Sequence, residues 1–129
     1  FLGIFGSNGT GNGQFGANIF HGDIDGSYLY IADEDNGRIQ IFDKNSPWTF
    51  INKFSTTGTP RGVAVDNNFI YVNNPSLAQV RIYNKTSPYA QVGSFSIPVS
   101  TTSDVFVDGS FIYITSYVAS PTIRIYRAR

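Results

Sequence analysis

The stretch GVAVDNNFIYV, residues 62–72, followed by AQVRIYNK at 78–85, decides the fold. It reads as a strand, a tight turn opened by an acid, a second strand, a gap and a third strand. The same figure precedes it as GDIDGSYLYI (22–31) with GRIQIFDK (37–44). It follows as DVFVDGSFIYI (104–114) with TIRIYRAR (122–129). Three copies of one supersecondary unit therefore account for most of the chain.

The spacing is regular. Asp25, Asp66 and Asp108, which open the turns, lie 41 and 42 residues apart. Tyr30, Tyr71 and Tyr113 keep the same intervals, and Phe42, Tyr83 and Tyr126 lie 41 and 43 apart. A period near 42 that reads as strands throughout is the mark of a β-propeller rather than a helical solenoid. The expected fold class is all-β, a propeller section of three four-stranded blades. The repeats run over about 6–54, 55–95 and 96–129, with a strand at 1–5, in one unit spanning 1–129.

Composition narrows the function. Net charge is zero and 14% of the 129 residues are charged, which argues against an electrostatic nucleic-acid footprint. Arg61, Arg81, Arg124, Arg127 and Arg129 are scattered through the repeats, not clustered with exposed aromatics as single-strand binding needs. Without cysteine there is neither a disulfide framework nor a thiolate site. No run approaches the ~18–20 apolar residues of a membrane helix. The sequence opens at Phe1 with no signal-peptide pattern, as expected of a processed product, a fragment or one section of a longer chain. Asn8-Gly9-Thr10 and Asn84-Lys85-Thr86 are N-glycosylation triplets, which favour an extracellular or cell-surface setting.

Taken in order, Phe1–Phe5 reads as a short strand with no partner before it. GSNGTGNGQF (6–15) is a glycine-rich loop with no Lys-Ser/Thr pair and no following helix, so it is not read as a phosphate loop. The acids Asp25, Asp66 and Asp108 are explained by turn chemistry, because Asp caps its own turn backbone. The second strands, Tyr28–Ala32, Phe69–Val72 and Phe111–Thr115, are apolar on both faces and belong inside a stack. The third strands alternate, placing Gln40, Arg81 and Arg124 at equivalent positions expected on the wetter face. Fourth strands are expected at Trp48–Phe54 and Tyr89–Phe95, after Pro-marked turns.

At Ala32-Asp33 and Asn36-Gly37-Arg38-Ile39-Gln40-Ile41-Phe42, and again at Arg61-Gly62-Val63-Ala64-Val65-Asp66, the sequence resembles the NHL-repeat family. That resemblance implies a propeller, in a family mostly of protein- or RNA-binding scaffolds with some lyases and hydrolases. Asp33 and Arg38 are expected to pair across their turn in the first repeat alone, since Gln79 and Thr122 stand at the position of Arg38.

Propellers close with roughly four to eight blades, so three leave raw sheet edges that template pairing with another chain. The third repeat ends without a fourth strand, while Phe1–Phe5 is a fourth strand without a blade. Strand addition is the expected remedy, with Phe1, Leu2, Ile4 and Phe5 of one chain laid against Ile123, Ile125 and Tyr126 of the next. The contact is head-to-tail, so it closes into a ring, propagates as a filament, or is met by further covalent blades.

Catalytic players are few. His21 is the only histidine, at the entry to the first inner strand, with Asp23 and Asp25 the nearest acids. Metal sites want more donors than that. The acidic turn Asp33-Glu34-Asp35-Asn36-Gly37 is read as a solvated turn holding the Asp33–Arg38 pair, because Lys44 stands where a calcium loop needs its bidentate acid. No nucleophile elbow and no Ser-His-Asp triad can be drawn. The expected protein is therefore not an enzyme and needs no cofactor. It is a self-assembling structural or interaction subunit, with a peptide- or glycan-binding propeller module as the alternative.

Overall fold

The computed structural model describes residues 1–97, 101–117 and 121–128, and all of the regular structure but one short turn of 3₁₀ helix is strand. Arg129 lies outside these residues. Two short strands, β1 (Ser7–Asn8) and β2 (Gln14–Phe15), pair in parallel within the glycine-rich loop. Three antiparallel sheets follow. The first is β3 (Ile19–Ile24), β4 (Tyr28–Asp33), β5 (Arg38–Asp43) and β6 (Phe50–Ser55), paired in chain order. The second is β7 (Gly62–Val65), β8 (Phe69–Asn74), β9 (Gln79–Asn84) and β10 (Gln91–Ser96). The third holds three strands among the described residues, β11 (Thr102–Val107), β12 (Phe111–Ser116) and β13 (Thr122–Arg127).

Each sheet begins with a hairpin locked by its turn acid. Asp25 Oδ1 accepts the Ser27 and Tyr28 N–H at 2.7 and 2.8 Å, and Oδ2 accepts the Tyr30 hydroxyl at 2.9 Å. Asp66 does the same for Asn68, Phe69 and Tyr71, and Asp108 for Ser110, Phe111 and Tyr113. The period of Asp and Tyr in the sequence is this lock, repeated. In the first sheet Lys85 of the second sheet adds an ion pair to Asp25 at 2.7 Å. Burial works against the Asp25 charge, yet Lys85, the two turn N–H groups and Tyr30 together hold its carboxyl well below the ordinary range.

That shift fixes a pH dependence. A folded-state pKa below the unfolded value of ~3.9 stabilises the fold above that pH and loses the contribution as pH falls. Asp25→Asn is expected to cost about 2 kcal/mol at pH 7, from hydrogen bonds to a charged acceptor. Chemical denaturation of both proteins should show that gap closing as the pH drops below ~3.9.

The sheets stack face to face around two apolar cores. Tyr30, Ala32, Ile39, Ile41 and Phe54 of the first meet Val63, Ile70, Val72 and Tyr83 of the second. The other face of the second, with Ala64, Tyr71, Val80 and Ile82, meets Val105, Ile112 and Ile114 of the third. The inner strands β3, β7 and β11 lie side by side. A middle sheet covered on both faces is why its strands read as apolar on both sides.

One expectation about the sheet faces needs correction. Gln40 is not on a wet face: it is fully buried, its amide oxygen accepting the Gly13 N–H and its NH₂ donating to the Gln14 carbonyl. The glycine-rich loop folds back over that face and supplies the polar partners. Phe1–Phe5, whose expected partner is another chain, pairs with no sheet among the described residues of its own. Phe1, Leu2 and Ile4 are exposed, and Phe5 alone tucks in, against Phe15, Phe42 and Trp48.

Candidate functional site

The three copies share their turn acids and core positions and differ, among other places, at one rim. That rim is where the inner strands begin and the second strands end. Equivalent positions there carry Phe20, Arg61 and Ser103; His21, Gly62 and Asp104; Glu34, Pro75 and Tyr117. Side chains from all three sheets converge on it. Arg61 donates to Glu34 Oε1 at 3.0 Å and to the Tyr117 hydroxyl at 3.2 Å, and its guanidinium lies 5.2 Å from the Phe20 ring centre. Its hydrogen bond to Glu34 chiefly raises the Arg61 pKa, so the charge is secure. Phe20 and Tyr117 are themselves exposed, flanking the guanidinium with aromatic surface.

His21 belongs to the same rim. Its Nδ1 stands 2.9 Å from Asp104 Oδ2, a bond from the first sheet to the third that passes over the second. Gly62 makes this geometry possible, since a Cβ there would sit 2.7 Å from Asp104 Oδ1. Burial pushes the Asp104 carboxyl up, against the pull of the Val105 N–H and His21, and Asp23 adds to the rise. A cleft of about 180 Å³ opens beside it, walled by Asp23, Ala64 and Asp104 on the inner strands.

Among the described residues, the buried side-chain polar atoms without a hydrogen-bond partner are Glu34 Oε2, Arg61 Nε and Asn73 Nδ2. Asn73 joins the same cluster, its carbonyl accepting the Arg61 N–H and its Oδ1 the Thr102 hydroxyl.

The residues singled out from sequence fall in separate places. Asp33 and Arg38 pair at 2.8 Å, both buried, and Arg38 also donates to the Thr10, Gly11 and Gln14 carbonyls. The pair thus holds the glycine-rich loop, and Asp33 is a buried acceptor, not part of a solvated turn. Asn8 is exposed in that loop, while Asn84 is half-buried at the end of β9. Ile123 and Ile125 are exposed on β13, and Tyr126 packs on Phe95 at 4.6 Å. Arg61, Glu34, Asp104 and Tyr117 were not foreseen as a group. The available signal was their failure to repeat.

The end faces complete the picture. On the third sheet Phe106, Ile123 and Ile125 are 52, 67 and 61% exposed. Their counterparts on the second sheet, Ala64, Val80 and Ile82, are 2, 0 and 3% exposed because the third sheet covers them.

Comparison with solved structures decides the architecture. Kuenenia stuttgartiensis hydrazine synthase matches over 84% of this chain and 32% of its own, with a TM-score of 0.72 at 19% identity. Myxococcus xanthus glutaminyl cyclase matches over 81% of this chain and 47% of its own, with a TM-score of 0.65 at 18% identity. The protein has a repeat β-propeller fold. Saccharomyces cerevisiae Sqt1 is similar over 76% of this chain and 30% of its own, with a TM-score of 0.63 at 8% identity. The chain thus spans less than half the length of each of these three propeller-like structures, and at such identities the likeness is one of fold. The LVIVD repeat, a sequence family, matches residues 23–41, from the end of β3 into β5, and residues 57–95, which run from ahead of β7 into β10. No curated protein matches the sequence. Among the described residues no helix is long and apolar enough to cross a membrane.

Proposed function

We propose that this protein is a structural and interaction module, an NHL-like propeller section whose copies join head to tail by exchanging the Phe1–Phe5 strand, outside the cell or on its surface. The observation that carries the reading is the end face of the third blade. Phe106, Ile123 and Ile125 are exposed at positions whose counterparts one blade earlier are buried by the next blade. A surface built to be stacked upon, beside an edge of β13 that is unpaired among the described residues, fits another blade of the same design. The Asp33–Arg38 pair fits the NHL pattern that suggested it. Light scattering with electron microscopy of the same sample tests the reading. A two-chain particle means a closed ring of six blades, fibres mean propagation, and a stable monomer refutes self-assembly.

Asn8, exposed on its loop, is the better placed of the two glycosylation acceptors. Expression through a secretory pathway should add a glycan there, removed by Asn8→Gln and read by intact mass.

A second reading rests on the rim. Arg61, Glu34, His21 and Asp104 between the exposed rings of Phe20 and Tyr117 form a mixed polar and aromatic surface suited to a peptide or glycan. It expects saturable binding on a peptide library or glycan array, lost in Tyr117→Ala, which removes an exposed ring, while the melting temperature is kept. This reading involves no catalysis.

A further inference from the structure

Three aromatic contacts in this chain are copies of one another. Phe54, in the fourth strand of the first blade, packs on Tyr83 of the second at 4.9 Å between ring centres. Phe95, in the fourth strand of the second blade, packs on Tyr126 of the third at 4.6 Å. Phe5 packs on Phe42 of the first blade at 5.0 Å. A second contact repeats as well: Phe54 stacks on Tyr89 at 5.1 Å and 17°, and Phe5 on Trp48 at 5.8 Å and 19°. Phe5 therefore occupies, on the first blade, the seat a preceding blade's fourth strand fills on the other two. Among the described residues no strand pairs with its backbone.

The two complete blades say what the partner must be. In the first, Phe54 lies opposite Ile39, Lys53 opposite Gln40 and Phe50 opposite Phe42, with the register broken at Ile51. In the second, Phe95 lies opposite Val80, Ser94 opposite Arg81 and Gln91 opposite Tyr83, with the register broken at Val92. Aligning Phe5 with Phe54 and Phe95 places Leu2 at the break, with Ile51 and Val92. Gly3 then matches Gly93, and the absence of a side chain is needed there, since a Cβ on Gly3 would sit 2.4 Å from the Trp48 ring.

We infer that the partner of Phe1–Phe5 is β13 of a second copy, in one register: Phe5 opposite Ile123, Ile4 opposite Arg124, Gly3 opposite Ile125 and Phe1 opposite Tyr126 of the neighbouring chain. This rests on the head-to-tail reading and sharpens it. The same segment stays seated on its own first blade through Phe5 and Trp48, so it ties the neighbour's third blade to that first blade as β6 and β10 tie the blades within one chain. Docking in this register also lays Phe106, Ile123 and Ile125 of the neighbouring chain toward the outer face of this chain's first blade.

The chain has no cysteine, so engineered thiols report the register cleanly. Directly opposed antiparallel residues have Cα atoms about 4.5–5.5 Å apart, within the range a disulfide spans. Ile4→Cys in one tagged chain is mixed with Arg124→Cys in a second, differently tagged chain, and oxidised; both side chains are at least partly exposed. The expected result is a mixed disulfide dimer formed at least ten times more than with Thr122→Cys, a two-residue slip. Cross-linking at Thr122 instead overturns the register. Association by light scattering with neither cross-link leaves the head-to-tail reading standing and removes this one. Monomers with no cross-link remove both.

Discussion

Arg38→Met is expected to destabilise the protein by about 3–5 kcal/mol, because it strips a buried carboxylate of its cation. Asp33 has no exposure, and after the substitution its remaining partners would be the Gly16 N–H, the Asn36 amide and the Gln40 amide. These satisfy geometry without neutralising charge. The same change removes the guanidinium that gathers the Thr10, Gly11 and Gln14 carbonyls of the glycine-rich loop. The loop should therefore open, and limited proteolysis should cut near residues 9–13 well before the sheets unfold. Arg38→Lys should not rescue, since one ammonium cannot reproduce a planar fork aimed at a carboxylate and three carbonyls. Gln79→Ala, at the equivalent position of the second blade, is expected to cost under ~1 kcal/mol in the same denaturant titration, the size of one ordinary hydrogen bond. A cost for Arg38→Met within ~0.5 kcal/mol, typical of surface changes, would mean the pair is incidental.

The fold was legible because its chemistry is local. An Asp that binds N–H groups two and three residues on, and a Tyr hydroxyl five residues on, leaves its spacing in the sequence. The blades followed from that spacing, while the Asp33–Arg38 pair across its turn came from the resemblance to the NHL pattern. What depends on distant chain was not legible. Gln40 alternates with apolar neighbours as a surface residue would, yet Gly13 and Gln14, some 27 residues earlier, fold over it. His21 and Asp104 meet from opposite ends of the chain, and only the smallness of Gly62 between them lets them do so. Phe1–Phe5 carries a strand's pattern but pairs with no strand among the described residues. Its seat against Phe42 and Trp48 is seen only once the three aromatic contacts can be compared. The rim went unread because repeat analysis rewards what recurs, and Phe20, Arg61 and Tyr117 are positions that do not.

Ile123→Lys combined with Ile125→Lys is expected to abolish assembly and leave the folded chain intact. Both side chains are mostly exposed in the single chain, so two lysines there desolvate nothing and remove no core contact. Their counterparts Val80 and Ile82 show what assembly would do, for the next blade buries them. A lysine forced into that environment either keeps its charge without a partner or gives up its proton, and the Leu- or Ile-sized burial is lost as well. At about 1.5–3 kcal/mol of lost burial for each position, before any charge penalty, the two changes together should weaken association by at least ~100-fold. Sedimentation at a series of concentrations should find monomers where the parent assembles, with an unchanged thermal transition at dilutions where the parent is also dissociated. Val80→Lys supplies the contrast, since the same chemistry one blade earlier strikes an interior core and should unfold the protein. If the double lysine chain assembles as the parent does, the outer face of the third blade is not the contact. The pairing of β13 with Phe1–Phe5 would then have to hold the copies together without it.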